Sequence, residues 1–292
     1  PGPHPRASLG DLDTWMDCPF RYWAHSLARL EEPPRGLFDP LKAGTFLHFL
    51  WQRAWTVRAE GSPEPLGTLV EQLWESAMAD ARNGYPRLGT DRRLARRSRR
   101  LKKLALRLAA LQEEADRVFA PGRAEQRLEF PMELDVGGVT FRGRADRVEV
   151  YREGLFVLDY KSSRIDPYRK SLQLAAYSAV LEESLGKAAW GTGFFGHADG
   201  RLYLALSEGC PLSFARGNGI SLARPGTLED AVGRARLGLD EMARGILSGR
   251  YEAAHGRATA CPACAARGLC RLGEARGESL AAETETEETA LD

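Results

Sequence analysis

An uninterrupted apolar run, Leu155-Phe156-Val157-Leu158, ends abruptly in Asp159-Tyr160-Lys161. Apolar residues without polar alternation read as a strand buried on both faces. A carboxylate and an ammonium at the end of such a strand demand a partner or a metal, because a bare buried charge is costly. Side chains alternate with period two along a strand, so Asp159 and Lys161 share a face. The preceding strand pattern carries a further acid, Asp146. Two carboxylates and an ammonium on adjacent strands can hold a divalent cation and orient a water beside it, which is the chemistry of metal-assisted phosphodiester cleavage.

Residues 128–134, 139–150 and 155–160 predict an antiparallel meander, with Gly137-Gly138 and Glu153-Gly154 as its turns. Helical spacing precedes it. One helix is expected from an N-cap at Ser8 to about Leu30, a second from near Pro40, a third over 66–82 and a long fourth over 91–119. After the meander come a helix over 168–185, strands over 188–195 and 201–206 joined at Asp199-Gly200, and a helix over 227–248 capped by Thr227. The fold class is therefore α/β, with a central mixed sheet flanked by helices. The expected organisation is a helical lobe over 1–120 carrying Cys18 and His48, a core over 121–250, a cysteine segment over 251–272 and a disordered acidic tail over 273–292.

Length suits one large domain or two small ones. No apolar run approaches the roughly 20 residues of a membrane span. The first residues show no secretory leader, so a cytoplasmic location and no membrane partner are expected. The absent initiator Met fits a piece of a larger parent chain. The net charge of +1 hides an asymmetry. From Glu274 to Asp292 there are seven acids and one Arg, a net of −6, which leaves +7 on the rest. A basic body suits a nucleic-acid partner. Its densest stretch is Arg92, Arg93, Arg96, Arg97, Arg99, Arg100, Lys102 and Lys103, a phosphate-contacting helix or else a solvated face.

Two smaller patterns flank the acids: Gly44-Thr45-Phe46-Leu47-His48 and Gln173-Leu174-Ala175-Ala176-Tyr177. Taken in order with Gly143-Arg144-Ala145-Asp146 and Asp159-Tyr160-Lys161, they resemble the RecB-like branch of the PD-(D/E)XK nuclease superfamily. The resemblance spans about residues 8 to 272. It implies a restriction-endonuclease-like core and metal ligation by His48, Asp146, Asp159 and the Tyr160 backbone carbonyl. It implies Mg²⁺ or Mn²⁺ as the metal, as hard oxygen ligands favour. Lys161 would orient the attacking water, Gln173 and Tyr177 would position the lysine or the DNA backbone, and Arg144 would touch DNA.

Of five cysteines, Cys261, Cys264 and Cys270 cluster near the end, and Cys18 lies far upstream before Pro19. Such clustering points to metal or iron–sulfur ligation. One remote cysteine plus C-x₂-C-x₅-C resembles the iron–sulfur version of the same family, which includes the AddB nuclease domain and Cas-type exonucleases. The resemblance implies a [4Fe–4S] cluster tying the chain's two ends together; a structural Zn²⁺ is the alternative. Cys210 stands outside this set. The expected activity is a deoxyribonuclease, exonuclease before endonuclease, acting on single strands or duplex ends in recombination or repair. The absence of a G-x-x-x-x-G-K-[ST] loop places any helicase motor in a partner subunit or parent chain. The competing readings are a noncatalytic DNA-binding scaffold of a helicase–nuclease complex and a zinc-stabilised regulator.

Overall fold

The computed structural model describes residues 5–30, 40–80, 92–254, 261, 264 and 266–270. Among these, seven strands form one mixed sheet: β1 (Arg6–Ser8), β2 (Glu125–Val136), β3 (Val139–Val150), β4 (Gly154–Lys161), β5 (Ala188–Gly196), β6 (Arg201–Leu206) and β7 (Ile220–Leu222). The helices are α1 (Leu12–Asp17), α2 (Pro19–Tyr22), α3 (Pro40–Ala59), α4 (Leu66–Ala79), α5 (Arg92–Phe119), α6 (Gln173–Leu185), α7 (Thr227–Ser248) and α8 (Arg267–Cys270). No helix among the described residues is long and apolar enough to cross a membrane.

The sheet is split at β3. Along one edge β3 pairs with β2 from end to end. Along the other it pairs first with β1, over residues 140–142, and later with β4, over residues 147–150. Residues 143–146 lie between these two ladders, so Asp146 sits at a fork. β4 continues in parallel with β5, and β5 pairs antiparallel with β6.

Helices cover both faces. Phe46, Trp51, Trp55, Trp74, Leu108 and Phe119 from α3–α5 bury one face against Phe156, Leu158 and Phe195. Leu12, Leu174, Tyr177, Leu239 and Met242 from α1, α6 and α7 bury the other against Phe141, Leu155 and Val157. The helices expected as a preceding lobe thus share a core with the sheet.

The meander matches its expectation, and Gly137 and Gly138 both take positive φ, as a tight hairpin turn requires. Three expectations are corrected. The first helix does not run from Ser8 to Leu30. Ser8 ends a strand and its hydroxyl accepts from Gly10 N at 3.2 Å, capping a 3₁₀ turn over Leu9–Asp11. Helix α1 then breaks at Cys18, which is extended at φ −168° and ψ 111°. A residue before proline is driven out of the helical region, and Pro19 does this to Cys18. A π turn over Trp23–Leu27 follows α2. The helix expected from Tyr168 begins at Gln173, after a 3₁₀ turn over Asp166–Lys170. Thr227 is the first residue of α7 and not its cap; that position is Gly226, at φ 77°. The short strands β1 and β7 have no pattern long enough to reveal them. Of the third helix, residues 81–82 lie outside the described residues, as does the acidic tail.

Beneath the fork lies a buried ionic cluster. Arg147 is fully buried, 3.8 Å above the Trp55 ring, and pairs with Glu149 and with Asp116 at 3.0 Å. Arg123 bridges the same acids at 2.7 and 2.9 Å. Removing one partner from a buried pair leaves an uncompensated charge, so Arg147→Met should destabilise the fold by about 3–5 kcal/mol. Urea denaturation followed by tryptophan fluorescence measures this.

Candidate active site

The fork gathers side chains from α3, β2, β3, β4 and α6. Extending the β3–β4 register would set Tyr160 opposite Ala145. Instead the Asp146 carboxylate takes the Tyr160 N–H, with Oδ2 at 2.8 Å. Its Oδ1 lies 3.2 Å from His48 Nδ1. His48 Nε2 lies 2.7 Å from the Tyr160 carbonyl. Burial works against charge on His48, but the hydrogen bond and charge of Asp146, with the charge of Asp159, outweigh it and hold the imidazole up at about 9. His48, Asp146 and the Tyr160 carbonyl are therefore brought together.

Asp159 faces a second group. Its Oδ1 accepts from Gln173 Nε2 at 3.2 Å, and its Oδ2 lies 2.9 Å from Lys161 Nζ. That contact is an ion pair in which the ammonium serves Oδ2. Burial and the neighbouring charge of Asp146 push the Asp159 carboxyl well above the usual range. Gln173 Oε1 accepts from Lys161 Nζ at 2.8 Å, and Gln173 Nε2 reaches Tyr177 OH at 3.2 Å. The Lys161 ammonium also lies 4.8 Å from the Tyr168 ring centroid. Gln173 thus orients Asp159 and Lys161 together, and Tyr177, a phenol pushed up to about 12 by burial, braces Gln173.

Three residues went unnoticed in the sequence. Glu129 is the first. With His48 and Asp146 it forms the set, among the described residues, whose ligand atoms all fall within 4.8 Å of one another. Its φ of +48° is a left-handed conformation that a non-glycine residue adopts at a cost. The strain has a structural counterpart. Leu128 packs on the α5 side of the sheet and Phe130 on the α6 side, and Arg147 and Ala145 of β3 divide the same way. Residues two apart on a regular strand would share a face. Both strands roll over where Glu129 meets Asp146. Glu129 alternates with Leu128 and Phe130 and so reads as a solvent-facing acid. The hairpin holds the missed signal: seven residues out from Val136 and seven from Val139 are Glu129 and Asp146.

His197 and Trp51 are the others. Trp51 Nε1 donates to His197 Nε2 at 2.6 Å, which leaves Nδ1 to donate to the Lys161 carbonyl at 3.0 Å. Burial pulls His197 down to about 4, so it is a neutral strut. It connects α3, which carries His48, to the end of β4. No spacing in the sequence marks it.

Imidazole, three carboxylates and a carbonyl at one fork make a donor set that suits Mg²⁺ or Mn²⁺. The basic run stands apart. Arg96, Arg97, Arg99, Arg100 and Lys103 are exposed on α5, and Lys102 Nζ lies 5.8 Å from the Trp74 ring centroid. The side chains of Arg92 and Arg93 lie outside the described residues. Gln112 of α5 reaches Tyr160 OH at 2.6 Å, and Arg100 is about 18 Å further along that helix. Arg144, by contrast, is exposed beside the site, 3.7 Å from Glu129.

Cys18 meets the other end of the chain. Ala254 N donates to Cys18 Sγ at 3.4 Å, and Phe20 N donates to the Glu252 carbonyl at 3.2 Å. Cys261 and Cys264 are joined by a backbone hydrogen bond of 3.2 Å, and Cys270 ends α8. None of the five cysteines is in a disulfide. Cys210 Sγ donates to the Leu212 carbonyl at 3.5 Å, and burial pushes its thiol up.

Two outcomes follow from this geometry. Trp51→Phe leaves the buried His197 Nε2 without a donor and should cost about 1–3 kcal/mol in chemical denaturation. Glu129→Gln should weaken Mn²⁺ binding at least about tenfold, read by titration calorimetry, because outer and inner ligands each carry that order of affinity.

The family model of the PD-(D/E)XK nuclease superfamily matches residues 6–271. No curated protein matches. Similar solved structures include a Eubacterium rectale protein described as "Putative exonuclease", at 13% identity and TM-score 0.41 over 87% of this chain and 89% of that one. They also include SSO0001, at 15% identity and TM-score 0.29 over 61% and 80%. A third is VC1899 from Vibrio cholerae, at 16% identity and TM-score 0.26 over 82% and 63%. With the family model spanning nearly all of the described sheet and helices, the chain belongs to the PD-(D/E)XK nuclease superfamily.

Proposed function

We propose that this protein is a Mg²⁺- or Mn²⁺-dependent deoxyribonuclease that cleaves single-stranded DNA or DNA ends, an exonuclease in recombination or repair. The observation that carries the reading is the convergence of His48, Glu129, Asp146 and the Tyr160 carbonyl on one side of the fork with Asp159, Lys161 and Gln173 on the other. His48, Glu129, Asp146 and Asp159 would hold the metal. A divalent cation held there supplies Lewis acidity toward water and phosphate oxygens. Lys161, fixed by Gln173 and Asp159, orients the attacking water and offsets charge developing on the phosphate. Arg144 and the exposed cations of α5 supply phosphate contacts. A helicase subunit or parent helicase chain would deliver the DNA end.

The cysteines complete the proposal. Cys18, Cys261, Cys264 and Cys270 would hold a [4Fe–4S] cluster that clasps the two ends of the chain. Its support is the backbone contact of residues 18–20 with residues 252–254 and the amide N–H aimed at the Cys18 sulfur. Such N–H···S bonds tune and stabilise cluster thiolates.

Asp146→Ala, Asp159→Ala and Lys161→Ala should each lower cleavage of end-labelled single-stranded DNA at least about a hundredfold in Mg²⁺ or Mn²⁺, with binding retained. Wild-type-like cleavage by any of them removes that residue from its role. The anaerobically purified protein should be brown, with iron and acid-labile sulfide in equal amounts. A colourless protein with stoichiometric zinc would replace the cluster with a zinc site.

A further inference from the structure

A cavity of about 720 Å³ opens between the solvent face of the β1–β3–β2 arm and the N-terminal turns. Arg6, Ser8, Tyr22, Ser26, Arg142 and Arg144 are among its lining residues. Their placement follows from register. β1 pairs in parallel with β3, with Arg6 opposite Thr140 and Ser8 opposite Arg142. Directly paired residues share a face, so Arg6, Ser8, Arg142 and Arg144 all stand on the side opposite Phe141 and Ala145, which point into the core. Thr140, Arg142 and Arg144 step along β3 at about 6.8 Å intervals toward Asp146. The row ends where Arg144 lies 3.7 Å from Glu129, a member of the proposed metal set.

We infer that this cavity is a binding channel for a phosphodiester strand, holding unpaired nucleotides next to the bond at the fork. This rests on the nuclease reading above. The cations are available for it. Arg6 is exposed and makes no ion pair among the described residues, and Arg144 is 67% exposed in its side chain. Arg142 is held by Glu133 at 2.6 Å, in a pair half open to solvent on both sides. Such a pair contributes little to stability and can be exchanged for a phosphate. Glu133 and Asp11 are the opposing charges in the lining. Arg142 and Arg144 stand one such step of β3 apart along the cavity. Cations that track a backbone along a groove give sequence-independent, salt-sensitive binding of unpaired strands.

The test uses the full chain, with Ca²⁺ in place of Mg²⁺, and the fluorescence anisotropy of a short labelled oligothymidylate. The double substitution Arg6→Ala/Arg142→Ala should raise Kd about tenfold and flatten log K against log salt by about 1.4, at roughly 0.7 per lost contact. Glu133→Gln should tighten binding about twofold, since it releases Arg142 and removes a repelling carboxylate. A purely structural role for the Arg142–Glu133 pair gives no such gain. An unchanged salt slope in the double variant, with wild type binding and cleaving, overturns the channel and leaves the nuclease reading standing. So does a loss confined to a blunt duplex probe. Wild type that neither binds nor cleaves single strands overturns both.

Discussion

One carboxylate holds the fork together. Asp146 spends Oδ2 on the Tyr160 N–H and turns Oδ1 toward His48. A continuous ladder would have satisfied Tyr160 through the β3 backbone and left no side chain between the strands. Because an acid takes that place, β3 and β4 separate while the Tyr160 amide stays bonded. The Tyr160 carbonyl in turn faces His48 on α3. Hydrogen bonds to a carboxylate are stronger than those between neutral groups. A single side chain therefore closes a junction of two strands and a helix that apolar packing alone would not register to a fraction of an ångström.

Around that junction, precision is supplied by buried polar groups whose alternatives are worse. Neutral His197 lies between Trp51 and the Lys161 carbonyl, so α3 cannot slide against β4 without orphaning a buried nitrogen. Tyr160 OH and Trp55 Nε1 both use Gln112 Oε1, at 2.6 and 2.9 Å, which ties α5 to the same strand. Strain at Glu129 belongs to the same design: rolling β2 and β3 at one point aims Glu129 at Asp146, at the cost of an unfavourable φ. The fork concentrates negative charge, and that charge holds the His48 imidazole above its ordinary range against its own burial.

The sheet was legible wherever the chain obeys local rules. Gly137-Gly138 announces its turn by composition, and residues 155–158 announce burial by lacking alternation. The ordered pairing of His48, Asp146, Asp159, Lys161, Gln173 and Tyr177 was legible because their neighbours form motifs. Glu129 was hidden by regular alternation, the cue that normally marks a solvent acid, and only hairpin counting brings it opposite Asp146. His197 was hidden because its partners lie 146 and 36 residues away. The N-terminal segment misled through its own helical spacing. Pro19 outweighs that spacing at Cys18, and three residues of strand are too few to show periodicity.

That N-terminal segment links fork, channel and clasp. β1 builds one arm of the split sheet. Asp13 of α1 accepts the Leu172 N–H at 2.7 Å and so fixes the start of α6, from which Gln173 reaches the lysine. Cys18 then meets residue 254 across a sequence separation of 236. Closing so long a loop costs chain entropy that a few backbone hydrogen bonds offset only in part. A cross-link between Cys18 and the C-terminal cysteines, as in the proposed cluster, would confine that entropy cost to the unfolded chain. Its effect would reach the fork through β1 and Asp13, and not through any direct contact with the metal set.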